Sequence, residues 1–108
     1  MDIRQYRAIK REIWQLSQEP KPADKQEAKR AAARLAGLRR QMAEIEAEID
    51  GLQDANERNV LRMRYLLGLR WEAIAQRTYY SRATVIRIAS RGEQHIAEKQ
   101  KRKKVRDK

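Results

Sequence analysis

The chain contains no cysteine and no phenylalanine, and only two prolines and four glycines among its 108 residues. Without cysteine there is no disulfide framework, no thiolate zinc site and no cysteine nucleophile. Two tryptophans and four tyrosines are the only large rings, so any core is modest and rests on Leu, Ile, Val, Met and Ala. No apolar run approaches the ~20 residues of a membrane span. The first residues, "MDIRQYRAIKREIW", are charged throughout where a secretory leader has an apolar stretch. These absences read as a soluble, cytoplasmic protein with no membrane partner. His95 is the single histidine, with no cysteine or second histidine to share a metal, so no metal site and no cofactor are expected. There is also no Gly-rich phosphate loop and no carboxylate pair in an apolar setting, and the acids of "EIEAEID" (44–50) read as a solvated flank. The expectation is that the protein is not an enzyme.

Positive charge is abundant, and it is unevenly placed. Residues 1–50 hold 11 Lys/Arg against 9 Asp/Glu, whereas residues 51–108 hold 15 against 6. The excess belongs to the second half, where a polyanion would release counterions from its phosphates on binding. A basic surface can simply aid solubility; an asymmetry this large points to nucleic acid.

The apolar pattern is helical from end to end. Ile3, Tyr6, Ile9, Ile13 and Leu16 form one stripe, which "EPKPAD" (19–24) ends because Pro20 and Pro22 lack N–H groups. Asp24 stands three residues before Glu27, so a second helix is expected to start there. Its positions Ala28, Ala31, Leu35, Leu38, Met42, Ile45, Ile49 and Leu52 alternate three and four apart, a heptad seam. A short loop makes the two helices an antiparallel hairpin, with Trp14 and Leu16 facing Ala28 and Ala31. The first helix, ~22 Å long, then falls short of the second at ~42 Å. Met42, Ile45, Ile49 and Leu52 are left over, to meet either the C-terminal part or a second chain. The expectation is self-association of two copies through these four residues, since leaving them in water would forgo roughly 1.5–3 kcal/mol each.

After Gly51 and "QDAN", Asp54 again precedes an acid, Glu57, by three. A third helix is expected through Val60, Leu61, Met63, Tyr65 and Leu67, with Gly68 ending it. A short fourth helix holds Trp71, Ile74 and Ala75. Thr78, Tyr79 and Tyr80 turn the chain, and Ser81 caps a fifth helix that buries Val85, Ile88, Ala89 and Ile96. The fold class is therefore all-α: an N-terminal helical hairpin over 1–53, a three-helix helix-turn-helix domain over 54–98, and a basic tail over 99–108. That tail, "KQKRKKVRDK", has seven basic residues and one acidic one. It is too charged to pack a core and either frays or prolongs the last helix.

Two short helices joined by a tight turn, the second basic on its outer face, describe a helix-turn-helix. With Val85, Ile88 and Ala89 inward, Arg82, Ala83, Ile86, Arg87, Ser90 and Arg91 face out. Arginine is well shaped to grip guanine in two bonds or to hold a phosphate. "VLRMRYLLGLRWEAIAQRTYYSRATVIRIASRG" (60–92) resembles the C-terminal, region-four helix-turn-helix of bacterial sigma factors. It matches at Val60-Leu61, Arg64-Tyr65, Gly68-Leu69, Glu72, Ile74-Ala75, Ser81-Arg82, Val85 and Ile88. With the N-terminal hairpin, the chain is similar to small phage and prophage sigma-like regulators, including the ArpU type of late-gene regulator.

The resemblance implies sequence-specific binding of double-stranded DNA near a promoter, with RNA polymerase as a further partner. By position it puts Ser81, Arg82, Thr84, Ile86 and Arg87 on the DNA-facing part of the recognition helix. Arg70 and Trp71 fall at the start of the supporting helix, on phosphate. The sequence departs from the pattern at Arg70, where a Ser or Thr cap is usual, and at Tyr79, a turn position often held by Gly. Ile86 suits either a thymine methyl or burial, and Tyr79 either a backbone contact or burial. Tyr65 and Trp71, at helical spacing, suit the core or its rim better than base stacking. Two other readings stay open: a coiled-coil adaptor that binds RNA polymerase or another protein, and an RNA-binding protein held by nonspecific charge.

Overall fold

The computed structural model describes residues 2–106, with side chains to residue 103. Residues 107 and 108 of the expected tail, and the side chains of 104–106, lie outside the described residues. Every regular element among the described residues is helical. Five helices run in order: α1 (Tyr6–Gln18), α2 (Lys25–Asp50), α3 (Ala55–Leu61), α4 (Trp71–Thr78) and α5 (Arg82–Arg106). A short 3-10 turn, Ile3–Gln5, precedes α1, and a π-turn, Arg62–Leu66, prolongs α3. The chain divides into two compact units, one up to Glu46 and one from Ala47 onward.

In the first unit, Ile3, Tyr6 and Ile9 are buried, as the stripe requires. Asp24 accepts the Gln26 N–H at 2.9 Å, satisfying one of the orphan donors that open α2. The Tyr6 hydroxyl donates to Glu46 Oε1 at 3.1 Å, and Arg34 pairs with Glu12. The Tyr6 bond shows that α1 reaches further along α2 than its length alone suggested. Six residues separate α1 from α2, and the start of α1 lies beside residue 46. Trp14 is not buried against small alanines: it is 63% exposed, and Ala28 and Ala31 are exposed too.

The surplus seam is corrected as well. Within a single copy of the chain Ile45 and Ile49 are wholly buried, Leu52 is buried and Met42 is half-buried. Self-association through Met42, Ile45, Ile49 and Leu52 was expected because those side chains would otherwise sit in water. One copy already removes Ile45, Ile49 and Leu52 from it and covers part of Met42, so most of that driving force is absent.

In the second unit Asp54 caps α3 by accepting the N–H groups of Asn56 (2.8 Å) and Glu57 (3.1 Å). Glu57 does not reach back to complete a capping box. It is buried, and its Oε1 lies 2.7 Å from Nδ1 of His95 on α5. The expected third helix stops at Leu61, beyond which the ladder widens so that the Leu67 N–H returns to the Arg62 carbonyl. A π-turn adds a residue and rotates the apolar stripe. Leu67 is therefore 60% exposed rather than inward. Gly68 follows with φ 71°, a left-handed conformation open to glycine without penalty.

α5 packs against both α3 and α4. Val85, Ala89 and Ile96 are buried, and Ile88 is half-buried rather than inward. Contact with α3 is close at Gly92, where an added Cβ would stand 2.9 Å from a Leu61 methyl. The helix runs on to Arg106, so the first part of the expected tail is helical. Lys99 donates to the Gly51 carbonyl at 2.6 Å, and Gln100 to Glu48 Oε1 at 2.8 Å. With the Arg62–Asp50 ion pair, these bonds tie residues 48–51 to the rest of the second unit. The last turn of α2 is thus part of the second unit, which begins at Ala47.

Candidate nucleic-acid interface

α4 and α5 are separated by three residues, Tyr79, Tyr80 and Ser81. Tyr79 makes the turn with φ 61° and ψ 17°, so a tyrosine occupies the left-handed region that favours glycine. Its ring does not fold back onto the protein and is 95% exposed. The Thr84 N–H donates to Ser81 Oγ at 3.1 Å, the N-cap expected of this serine. The Ser81 hydroxyl in turn donates to Thr84 Oγ1 at 2.9 Å. Ser81 thus spends its hydrogen on Thr84, while the Thr84 hydrogen can still point elsewhere.

Burial sorts the α5 residues by face. Val85 and Ala89 are inward, Thr84, Ile86 and Ile88 are half-buried, and Arg82, Ala83, Arg87, Ser90 and Arg91 are exposed. Ile86, open to either reading in the sequence, lies at the margin between these faces. Arg82 is held: its Nε lies 3.0 Å from Glu72 Oε1 on α4, with both side chains well exposed. Such a pair contributes little stability in water, about 0–1 kcal/mol. In the structure it turns the guanidinium toward α4.

Arg70 is exposed at the N-cap of α4 and gives no side-chain cap, as its lack of a short oxygen implies. Trp71 is half-buried, with the Arg64 guanidinium 4.2 Å over its ring. Arg64 also donates to the Leu69 carbonyl at 3.1 Å. The cation–π contact and this bond set the entry to α4, which agrees with the rim role expected of Trp71.

The expected residues thus fall into three groups. Arg82, Arg87, Ser90 and Arg91 share the solvent side of α5, Tyr79 stands on the turn before it, and Arg70 and Trp71 start α4. The sequence reading missed the partners: Glu72 for Arg82, Arg64 for Trp71, and Glu57 for His95. Only Glu72 left a trace, as an acid on a helix flanked by arginines. No family model, curated protein or solved structure matches the chain.

Proposed function

We propose that this protein is a sequence-specific, double-stranded DNA-binding transcriptional regulator that acts in the cytoplasm. On this reading α1 and α2 form an antiparallel helical hairpin, and α4 and α5 are a helix-turn-helix of the sigma region-four kind found in small phage and prophage regulators. The first turns of α5 enter the major groove. Arg87 reads a base edge, while Arg70, Arg82, Arg91 and Tyr79 hold the flanking backbone. Ser90 and the free Thr84 hydrogen supply neutral hydrogen bonds beside them. RNA polymerase is the second partner that the resemblance implies. Nothing in this role calls for a catalytic group or a cofactor.

The observation that carries the reading is the division of α5. One side is buried on α3 and α4, while the other offers Arg82, Arg87, Ser90 and Arg91 to solvent directly after a capped, three-residue turn. Selection of bound duplexes from random DNA should enrich one short site. Arg87→Ala should then weaken binding to that site by about 1–3 kcal/mol and relax preference at one base pair. Recovery of unrelated sequences with the native chain, or binding to RNA at equal strength, would replace this reading with nonspecific polyanion binding.

A further inference from the structure

The outer side of α1 has no part in the reading above. Arg7, Lys10, Arg11 and Trp14 fall within an arc of about 100° at helical spacing, and all four are exposed. The one acid of α1, Glu12, lies on the other flank and is already paired with Arg34. The result is a face of three cations and a 63% exposed indole, with no carboxylate among them.

We infer that this face contacts the phosphodiester backbone of duplex DNA, as a second nucleic-acid surface carried by the first unit. The inference rests on the regulator reading. Charge selects the partner: three like charges without an acid between them repel one another and are relieved by a polyanion. A protein partner would need an apolar centre, and Trp14 is flanked by Arg7, Lys10, Arg11 and Gln18 rather than by other large apolar groups. A lipid surface would need the apolar side of the helix, but Tyr6 and Ile9 are already buried. Cations one turn apart suit successive phosphates, and the indole N–H can donate to a phosphate or sugar oxygen while its ring lies along the backbone.

The test uses the full chain and a duplex carrying its selected site. The triple variant Arg7→Gln, Lys10→Gln, Arg11→Gln should flatten the log K against log salt slope by ~2–3, at ~0.9 per lost phosphate contact. At near-physiological salt the affinity should fall at least about tenfold, with base preferences and the melting curve unchanged. Trp14→Ala should lower affinity severalfold at every salt concentration without altering the slope, because it removes no charge. An unchanged slope in the triple variant sinks this inference alone. So does a loss confined to single-stranded RNA or to vesicles of anionic phospholipid. A native chain that binds no duplex at all sinks the regulator reading, and this inference with it.

Discussion

The two units are built on opposite terms. The first contains the most regular pattern in the sequence, the heptad seam of α2, yet residues 25–34 of that helix are exposed at every position. The second is made of short, interrupted helices, and it holds Ile49, Leu52, Val60, Leu61, Ile74, Val85, Ala89 and Ile96 in its interior. It is also cross-tied, by Glu57 to His95, Tyr65 to Glu93 and Arg58 to the Leu52 and Gln53 carbonyls. Regular spacing says that a helix has an apolar side; it does not say that anything covers it. Burial follows from how many elements converge on a residue, and both α3 and α4 converge on α5's inner face.

The sharpest way to break this comparison is with one leucine from each unit. Leu61 is wholly buried and Leu35 is half-buried. Leu61→Ala should cost about 2–5 kcal/mol, measured by urea unfolding, whereas Leu35→Ala should cost under about 1. Equal losses would mean that the seam of α2 is as deeply packed as the second unit.

The caps give a finer contrast. Asp54 satisfies two N–H groups at the head of a packed helix, and Asp24 satisfies one at the head of an exposed one. Asp54→Ala should lower stability by about 0.5–2 kcal/mol. Asp24→Ala should cost at most about 0.5 kcal/mol in global stability, at the low end for a cap. Its effect should appear instead as faster amide exchange over 25–34, because fraying there exposes nothing buried.

A last contrast, one of pH, concerns Tyr6. Burial, then its hydrogen bond to Glu46 and the charge of that carboxylate, holds the Tyr6 phenol above its ordinary value of about 10. A raised folded value favours the protonated form. Its stabilisation is therefore present below about pH 10 and is lost as pH rises through the higher folded value. Tyr6→Phe should cost about 0.5–1.5 kcal/mol near neutral pH. Denaturation midpoints of the two chains should converge as the pH climbs past that range; parallel curves would show that the phenol is not held by burial and Glu46.

What could be read from the sequence was local chemistry. Asp24, Asp54 and Ser81 each accept the backbone N–H groups expected of a cap, and Gly68 takes the left-handed conformation expected at a helix end. Pro20 and Pro22 lie between two helices, as their missing donors require. What escaped was in one case a local break in the helical ladder and otherwise depended on how separate elements meet. The π-turn at Arg62–Leu66 leaves the stripe through Leu67 looking continuous in the sequence while turning it in space. Glu57 looks like half of a capping box until His95, 38 residues on, arrives beside it. The exposure of Trp14 depends on how α1 and α2 pair, which loop composition alone does not set. At the candidate site, the face of α5 was legible from period and capping. The grip of Glu72 on Arg82 was not, since neither side chain is forced by burial.

α5 is also a lever. Its 25 residues make a rod of roughly 36 Å at 1.5 Å per residue, with Ser81 at one end and the bonds of Lys99 and Gln100 near the other. Ser81 and Lys99 are about 27 Å apart on this scale, so a tilt of about 10° would swing the far end by nearly 5 Å, enough to part both bonds. The Gly51 carbonyl and the Glu48 carboxylate therefore limit the angle at which the opposite end projects. A single rigid helix lets side chains late in the sequence govern the aim of residues two dozen ångströms away.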